Sequence, residues 1–412
     1  MNTETGAYPA ALLNAAPLES EPDRVPGKRV AIVGGSLAGC AAAIALRRAG
    51  CQVTILERSR GELRGRGAGL VIPTAIHEEL VAAGYLGTDV RAIDVAERLW
   101  FVDSGGERRL MWRQPFPGVS VNWALLWRAL RARLPGEIYR EGTPVARVEP
   151  AAGGAMVLLG DGARRRYDLV IGADGYRSAV RQCLRRDGLP TYVGHVMWRG
   201  WCPVEEVPAY HDLLLSGNAL TVCFDHGHML LYPIASDDGP LANWGIYTTM
   251  TDWAPAGEAA WIPPGQVHEE LRDELLRRLP GWSELVQRTG AARLALQPIY
   301  DMTAPCYVGP RTLLVGDAAT VTPPHTGAGA LKALQDALAL ERIAAAGGSW
   351  EQILAAYDAE RRPVGNQTVE LGQRLGQAQV LRTPDWSLMT PDLFPRWIAD
   401  TLESRSSWAY SD

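Results

Sequence analysis

Apolar residues along this chain follow two rhythms, and the change of rhythm marks its organisation. Arg29–Val33 is a short β-branched run of the kind a buried parallel strand requires. A glycine-rich turn follows, then an alanine-rich helix to about Ala49 and a second strand over Gln52–Leu56. Two later apolar runs, 168–172 and 312–315, have the same character, and each leads into a helix, the second ending near Leu340. Between them, from about 191 to 300, the period falls to two. Strands are predicted over 192–198, 220–224, 228–233 and 244–249, divided by turns such as Ser236-Asp237-Asp238-Gly239-Pro240. A helix over 266–278 with Leu271, Leu275 and Leu276 on its apolar side follows, and residues 70–118 add a helix and a strand.

The pattern predicts an α/β fold. A discontinuous Rossmann-like dinucleotide domain is assembled from 27–70, 119–190 and 301–370. A mainly antiparallel β-sheet domain for substrate, 71–118 and 191–300, is inserted into it. The segment 371–412, with Trp386, Trp397 and Trp408, is expected to be helical and to pack on the body or on a partner subunit, as in a homodimer. Residues 1–26 read as a disordered leader without the basic start and apolar core of an export signal.

Composition narrows the function. The 412 residues carry a formal charge of −5, which gives no electrostatic reason to expect nucleic acid or an anionic membrane as partner. The most apolar stretch is short and interrupted by Gly34, Gly35 and Gly39, so no membrane span is expected. Six scattered cysteines without a CxxC pair suit free thiols in a reducing cytoplasm, and seven histidines without ligand spacing indicate no metal.

The chemistry lies in the turns after the strands. Gly34-Gly35-Ser36-Leu37-Ala38-Gly39 links strand to helix, and Glu57, followed by Arg58, stands twenty-three positions after Gly34. Gly34 permits the tight turn and Gly39 the close approach of helix and strand. The helix N-terminus offers N–H groups to a pyrophosphate, and Glu57 can accept from a ribose hydroxyl. Ser36 replaces the usual middle glycine. Two further strands end in Asp174-Gly175 and in Gly316-Asp317, the latter followed by Pro323-Pro324-His325-Thr326-Gly327-Ala328-Gly329-Ala330.

In this order and spacing, the three segments resemble the single-component (group A) FAD-dependent aromatic monooxygenases of the para-hydroxybenzoate hydroxylase fold. The likeness runs from about Lys28 to Gln373. It implies that the first loop holds the FAD pyrophosphate, that Asp174-Gly175 lies where pyrophosphate and NADPH or NADH are contacted, and that Asp317 binds the ribityl chain. Pro324 then sits against the isoalloxazine, and the backbone of Gly327, Ala328, Gly329 and Ala330 meets its pyrimidine end. Ser36, the Arg64-Gly65-Arg66-Gly67-Ala68-Gly69 run, Pro324-His325 and Lys332 are similar to the dihydroxypyridine hydroxylase branch. Several family positions differ: Thr320, Ala328 and Leu331 replace common polar residues, and Trp123 stands where an arginine often faces the flavin phosphates. Arg128 either takes that arginine's role or lies at the surface.

The resemblance implies hydroxylation or epoxidation of a small electron-rich aromatic or heteroaromatic molecule with NAD(P)H and O2, through a flavin C4a-hydroperoxide. Trp198, Trp201 and Trp244 either line a cavity for a flat substrate or belong to the core. Tyr232 and Tyr247 are candidates to hydrogen-bond a phenol-like substrate. His195, His226 and His228 read as packed or solvent-facing side chains, whereas His325 either tunes the reaction or packs as loop scaffolding. Two other readings stay open: an FAD oxidoreductase of the same fold without oxygen insertion, and a non-catalytic flavoprotein.

Overall fold

The computed structural model describes residues 25–61, 63, 69–184, 189–251, 262–403, 407 and 409–410. The expected leader up to residue 24, Arg66 and Gly67 of the arginine–glycine run, and Trp408 lie outside these described residues.

Four of the five residues of β1 (Arg29–Val33) are buried, as its continuous apolar run requires, and the strand sits inside a six-stranded sheet. β2 (Gln52–Leu56) and then β6 (Tyr139–Arg140) lie on one side. On the other side come β10 (Leu169–Gly172), β17 (Thr312–Leu314) and β16 (Val308–Gly309). All neighbours are parallel except β16, which closes the edge antiparallel. Helix α1 (Leu37–Arg48) packs closely because Ala41, Ala42, Ala43 and Ala45 form a buried surface of methyl groups. Against it lies α8 (Ala328–Ala345), which in turn contacts α9 (Trp350–Gly376). The start of α9 is fixed by a reciprocal capping pair, Ser349 and Gln352.

The second sheet has eight strands in the order β15-β11-β14-β13-β12-β4-β5-β3. These are β15 (Ala295–Asp301), β11 (Thr191–Pro203), β14 (Leu241–Thr249), β13 (Gly227–Ile234), β12 (Asn218–Phe224), β4 (Ala92–Ser104), β5 (Glu107–Asn122) and β3 (Gly69–Pro73). Only the β12–β4 junction is parallel. The four strands expected in 191–300 are all present and longer than their apolar cores suggested. Residues 70–118 supply α2 (Thr74–Ala82) and parts of three strands, where one strand was expected. β5 also runs unbroken past the expected boundary at 118, so 119–122 pair with β3 in the second sheet. A small antiparallel sheet, β7 (Val145–Ala151), β8 (Gly154–Leu159) and β9 (Arg164–Tyr167), had no counterpart in the sequence reading. Short helices complete the connections: α3 (Trp123–Arg131), α4 (Ala179–Leu184) and α5 (His211–Leu215).

One face of the large sheet builds a second core. Trp198, Leu231, Trp244, Ile246 and Leu296 pack there with Leu275 of α6 (Glu269–Arg278) and Leu285 of α7 (Ser283–Thr289). The C-terminal segment covers part of the opposite face. Trp386 and, on α10 (Phe394–Leu402), Phe394 and Ile398 pack against Trp100 and Phe116. No helix among the described residues is long and apolar enough to cross a membrane.

Trp244 is 1% exposed, and its Nε1 donates to Thr289 Oγ1 at 2.8 Å, tying sheet to helix. Trp244→Ala should therefore cost about 3–5 kcal/mol of stability. Urea unfolding of parent and variant will read this as a lower midpoint.

Candidate active site

The three turns singled out in the sequence meet at the C-terminal ends of the parallel strands. Gly34 has φ +99°, and a side chain there would run into the Ala173 carbonyl, so the first turn lies directly on the Asp174 segment. Gly316, at φ +58°, lies close to Ala38, whose methyl would stand 3.1 Å from a Cβ placed there, and this brings the Gly-Asp turn against the start of α1. Arg181 of α4 donates to the Ala318 carbonyl at 3.0 Å and joins the second turn to the third.

Within this junction, several groups face outward or lack a protein partner. Ser36 caps α1 without a side-chain hydrogen bond, so its hydroxyl and the first N–H groups stay free for an anion. Gly327, at φ +63°, opens α8, whose first N–H, that of Ala328, donates to Thr326 Oγ1 at 3.2 Å, and nothing crowds Gly329. One oxygen of Asp174 accepts from the Ala179 N–H at 2.7 Å, while its buried Oδ1 has no partner, and burial pushes this carboxyl up. Asp317 exposes its side chain from a run in which Val315, Gly316, Ala318, Ala319 and Thr320 are buried. An uncapped start of α1, an uncrowded Gly329, an unpartnered carboxylate oxygen and an outward-facing acid suit an elongated cofactor with an anionic middle and hydroxyl-bearing arms. These residues fit FAD.

A buried ionic network holds the Gly-Asp turn. Asp336, fully buried on α8, accepts from the Gly316 N–H at 2.9 Å and from Arg361 Nε at 2.8 Å. Lys332, 2% exposed, donates to the Gly316 carbonyl at 2.6 Å. Both polar groups of a left-handed glycine are thus clamped by charged partners, whose desolvation is offset by these bonds. Lys332 stood out in the sequence; Asp336 and Arg361 did not, because their spacing gave no sign that they meet.

The expected site residues divide along the faces of the large sheet. Trp198 and Trp244 point into the second core, away from the turns, because Val196, Trp198 and Trp244, Ile246 share one side of the period-two alternation. Their candidacy as cavity-lining residues is corrected: they are structural. Tyr232 and Tyr247 lie on the opposite face, where the turn of Pro324 and His325 arrives. The Tyr247 and His325 rings stand 4.4 Å apart. His228 stacks on Tyr247 at 4.4 Å, and His195 Nε2 lies 2.8 Å from His325 Nε2. His195 and His228 are indeed packed, yet they converge on the one histidine singled out. Parity along strands β11 and β13 was the available signal. His226 sits in an exposed turn at φ +57°.

Two further candidates, Glu57 and Arg128, are held by other partners. Glu57 accepts from the Gly35 N–H and from the Ser59 N–H, both at 2.8 Å, and so braces the first turn. Arg128 pairs with Asp237 at 3.1 Å at the protein surface, and Arg58 is exposed. Leu37 is buried, Ala38 partly so, and either can offer a ligand its backbone.

Burial drives the three histidines toward the neutral form, His195 to about 4, His228 to about 3 and His325 well below its usual value. Arg98 reinforces the effect at His228. Unfolded histidines take up protons below about pH 6.5, whereas these do not until much lower, so folding stability should fall as pH drops from about 6.5 toward 4. The slope can reach about 1.4 kcal/mol per pH unit for each histidine. Denaturation midpoints across this range should flatten when His228 is replaced by Asn.

A family model described as an FAD binding domain matches residues 156–371, just over half of the chain, and one described as a pyridine nucleotide-disulphide oxidoreductase matches 6–106. Salicylate hydroxylase of Pseudomonas putida is 31% identical over 396 residues, covering 87% of each chain. The 2,6-dihydroxypyridine 3-monooxygenase of Paenarthrobacter nicotinovorans is 29% identical, covering 76% of this chain and 82% of its own. Among solved structures, 2,6-dihydroxypyridine-3-hydroxylase from Arthrobacter nicotinovorans superposes with a TM-score of 0.77 at 23% identity, over 88% of this chain and 95% of that one. With three glycine turns joined at the sheet edge and a second sheet facing them, the chain belongs to the single-component FAD-dependent aromatic monooxygenases.

Proposed function

We propose that this monooxygenase oxygenates a small, flat aromatic or heteroaromatic molecule held between the inner face of the large sheet and the Pro324–Gly327 turn. The observation that carries the reading is the contact of that turn with the sheet: His325, beside Pro324, packs on Tyr247 and His195. A ring bound beside these side chains lies next to the turn that would hold the reactive end of the flavin. The first turn and the start of α1 would hold the pyrophosphate, Glu57 or its neighbouring backbone the adenosine ribose, Asp317 the ribityl hydroxyls, and Gly327 to Ala330 the pyrimidine edge. Asp174 and Gly175 would contact the pyrophosphate and the transiently bound NADPH or NADH.

Bound FAD, reduced by NAD(P)H, supplies the activated oxygen. The chain's own residues exclude water, orient the ring and manage protons. The inner face suits this work. Buried Tyr247, with its hydroxyl pushed to a high pKa by burial, remains a neutral donor. Tyr232, held mainly by burial at about 12, does the same from the neighbouring strand.

The test is a screen of hydroxylated benzoates, aminophenols and hydroxypyridines for compounds that accelerate NAD(P)H oxidation, with product mass checked for one added oxygen. Accelerated oxidation that yields only hydrogen peroxide for every compound, or oxidation that is unchanged without O2, would refute the reading.

Asp317→Ala should leave the fold intact and weaken FAD binding roughly 10- to 100-fold, because a charge-assisted hydrogen bond contributes about 1.5–3 kcal/mol. The ratio of FAD to protein after purification and the FAD dissociation constant check this. A variant as yellow as the parent would show that Asp317 does not touch the cofactor.

A further inference from the structure

The first turn is gripped at a single peptide oxygen. The Gly35 carbonyl accepts from Trp127 Nε1 at 2.9 Å, from the Tyr139 hydroxyl at 3.0 Å and from the Cys40 thiol at 3.3 Å. Its own N–H is bound as well, to Glu57 Oε2 at 2.8 Å. The donors come from three elements: Trp127 from α3, Tyr139 from β6 and Cys40 from α1. A carbonyl oxygen has two lone pairs, so three donors saturate it, and an indole N–H can only donate. The next N–H along the chain, that of Ser36, has no acceptor among the described residues.

Peptide planarity links these two facts. In a trans peptide, the carbonyl of one residue and the N–H of the next point in opposite directions. No peptide bond of the described chain is cis. With the Gly35 oxygen drawn toward α3 and β6, the Ser36 N–H is turned away from both. Ser36 itself is partly exposed, between buried Gly35 and buried Leu37. The same contact accounts for the second glycine of the turn. A side chain at Gly35 would overlap the Tyr139 hydroxyl, so the residue is small to let oxygen and hydroxyl meet. Its backbone is not left-handed.

The donors are themselves well fixed. Trp127 and Tyr139 are 4% and 7% exposed, and Arg131 lies over the Tyr139 ring at 4.5 Å. Burial pushes the Cys40 thiol up to about 12 and raises the Tyr139 hydroxyl above its ordinary value, so both keep the protons they donate.

We propose that Trp127 and Tyr139 are positioning residues for the cofactor pyrophosphate: by holding the Gly35 carbonyl, they aim the Ser36 N–H at a phosphate oxygen. The proposal rests on the reading above that the first turn holds the pyrophosphate of FAD. Neither side chain touches the cofactor. Without the two donors, the Gly35–Ser36 peptide is free to rotate, and a carbonyl turned outward presents negative charge to an anion. Holding the peptide in advance spares binding the cost of ordering it.

The test measures the FAD affinity of the full-length chain after removal of bound FAD, by quenching of flavin fluorescence. ADP, which carries the pyrophosphate but no flavin, is the competing probe. Trp127→Phe and Tyr139→Phe each leave the other donor in place and should weaken FAD about 3-fold, the net effect of one hydrogen bond. The double variant should weaken FAD by about 30-fold or more, beyond the product of the singles, because both act on one carbonyl. ADP should lose the same factor, with circular dichroism unchanged. Ser36→Asp keeps a good helix cap but sets a negative charge beside the phosphate, and it should weaken both ligands.

The proposal is overturned if the double variant binds FAD as tightly as the parent, or if it weakens FAD and leaves ADP unchanged. Should the double variant fail to fold, the singles decide, and parent-like affinity in both overturns it. Undiminished affinity in Ser36→Asp overturns the first-turn reading and the proposal together. A loss in Ser36→Asp beside a parent-like double variant overturns the proposal alone. No turnover is involved, so these outcomes are independent of the product-mass test of the hydroxylase reading.

Discussion

The geometry of this protein depends on how Gly316 is held. Its left-handed backbone places the N–H and carbonyl toward α8, where Asp336 and Lys332 take one each, and Arg361 from α9 secures Asp336. All three charges are nearly removed from water, so their desolvation cost is tolerable only while the bonds are made. The same conformation points Asp317 outward and seats Gly316 on Ala38 of α1. One clamp therefore sets the position of the acid, the distance between α1 and α8, and the direction in which the following turn leaves the sheet.

From that turn the chain carries Pro324 and His325 across to a second sheet, where His325 packs on Tyr247 and His195. The large sheet is two-faced. Its tryptophans and aliphatic residues meet α6 and α7, while tyrosines, histidines and two arginines occupy the other face. Polar side chains at this depth are costly unless partnered. Several here stay unpartnered in the protein: Nδ1 of His195, His228 and His325, and the amide of Gln379. Such a cluster is a poor core and a suitable lining for a molecule that brings its own polar edges.

Much of the architecture was legible along the chain because local sequence carries it. A β-branched run followed by glycines at fixed offsets needs no distant partner to be read as strand, turn and helix, and all three such units appear where expected. The alternating runs of the second lobe were legible for the same reason. The small sheet of β7 to β9 was not, since its two outer strands, β7 and β9, are mostly exposed or half-exposed and carry little apolar pattern, and the unbroken course of β5 across the expected domain boundary depends on pairing with β3.

The sequence by itself determined the turns: glycines that must adopt left-handed or sterically crowded backbone, the acid after Gly316, and a period-two lobe between the parallel strands. Their chemistry is set within a few residues, where bond geometry and side-chain volume decide. Only the tertiary structure decided which face each aromatic and histidine occupies. Trp198 and Trp244 went to the core, while His195 and His228, separated by the whole of α5 and β12, were brought to His325. The physical reason is parity. In a strand, a one-residue change of register sends a side chain to the opposite face, and register is set by pairing with strands far away in sequence.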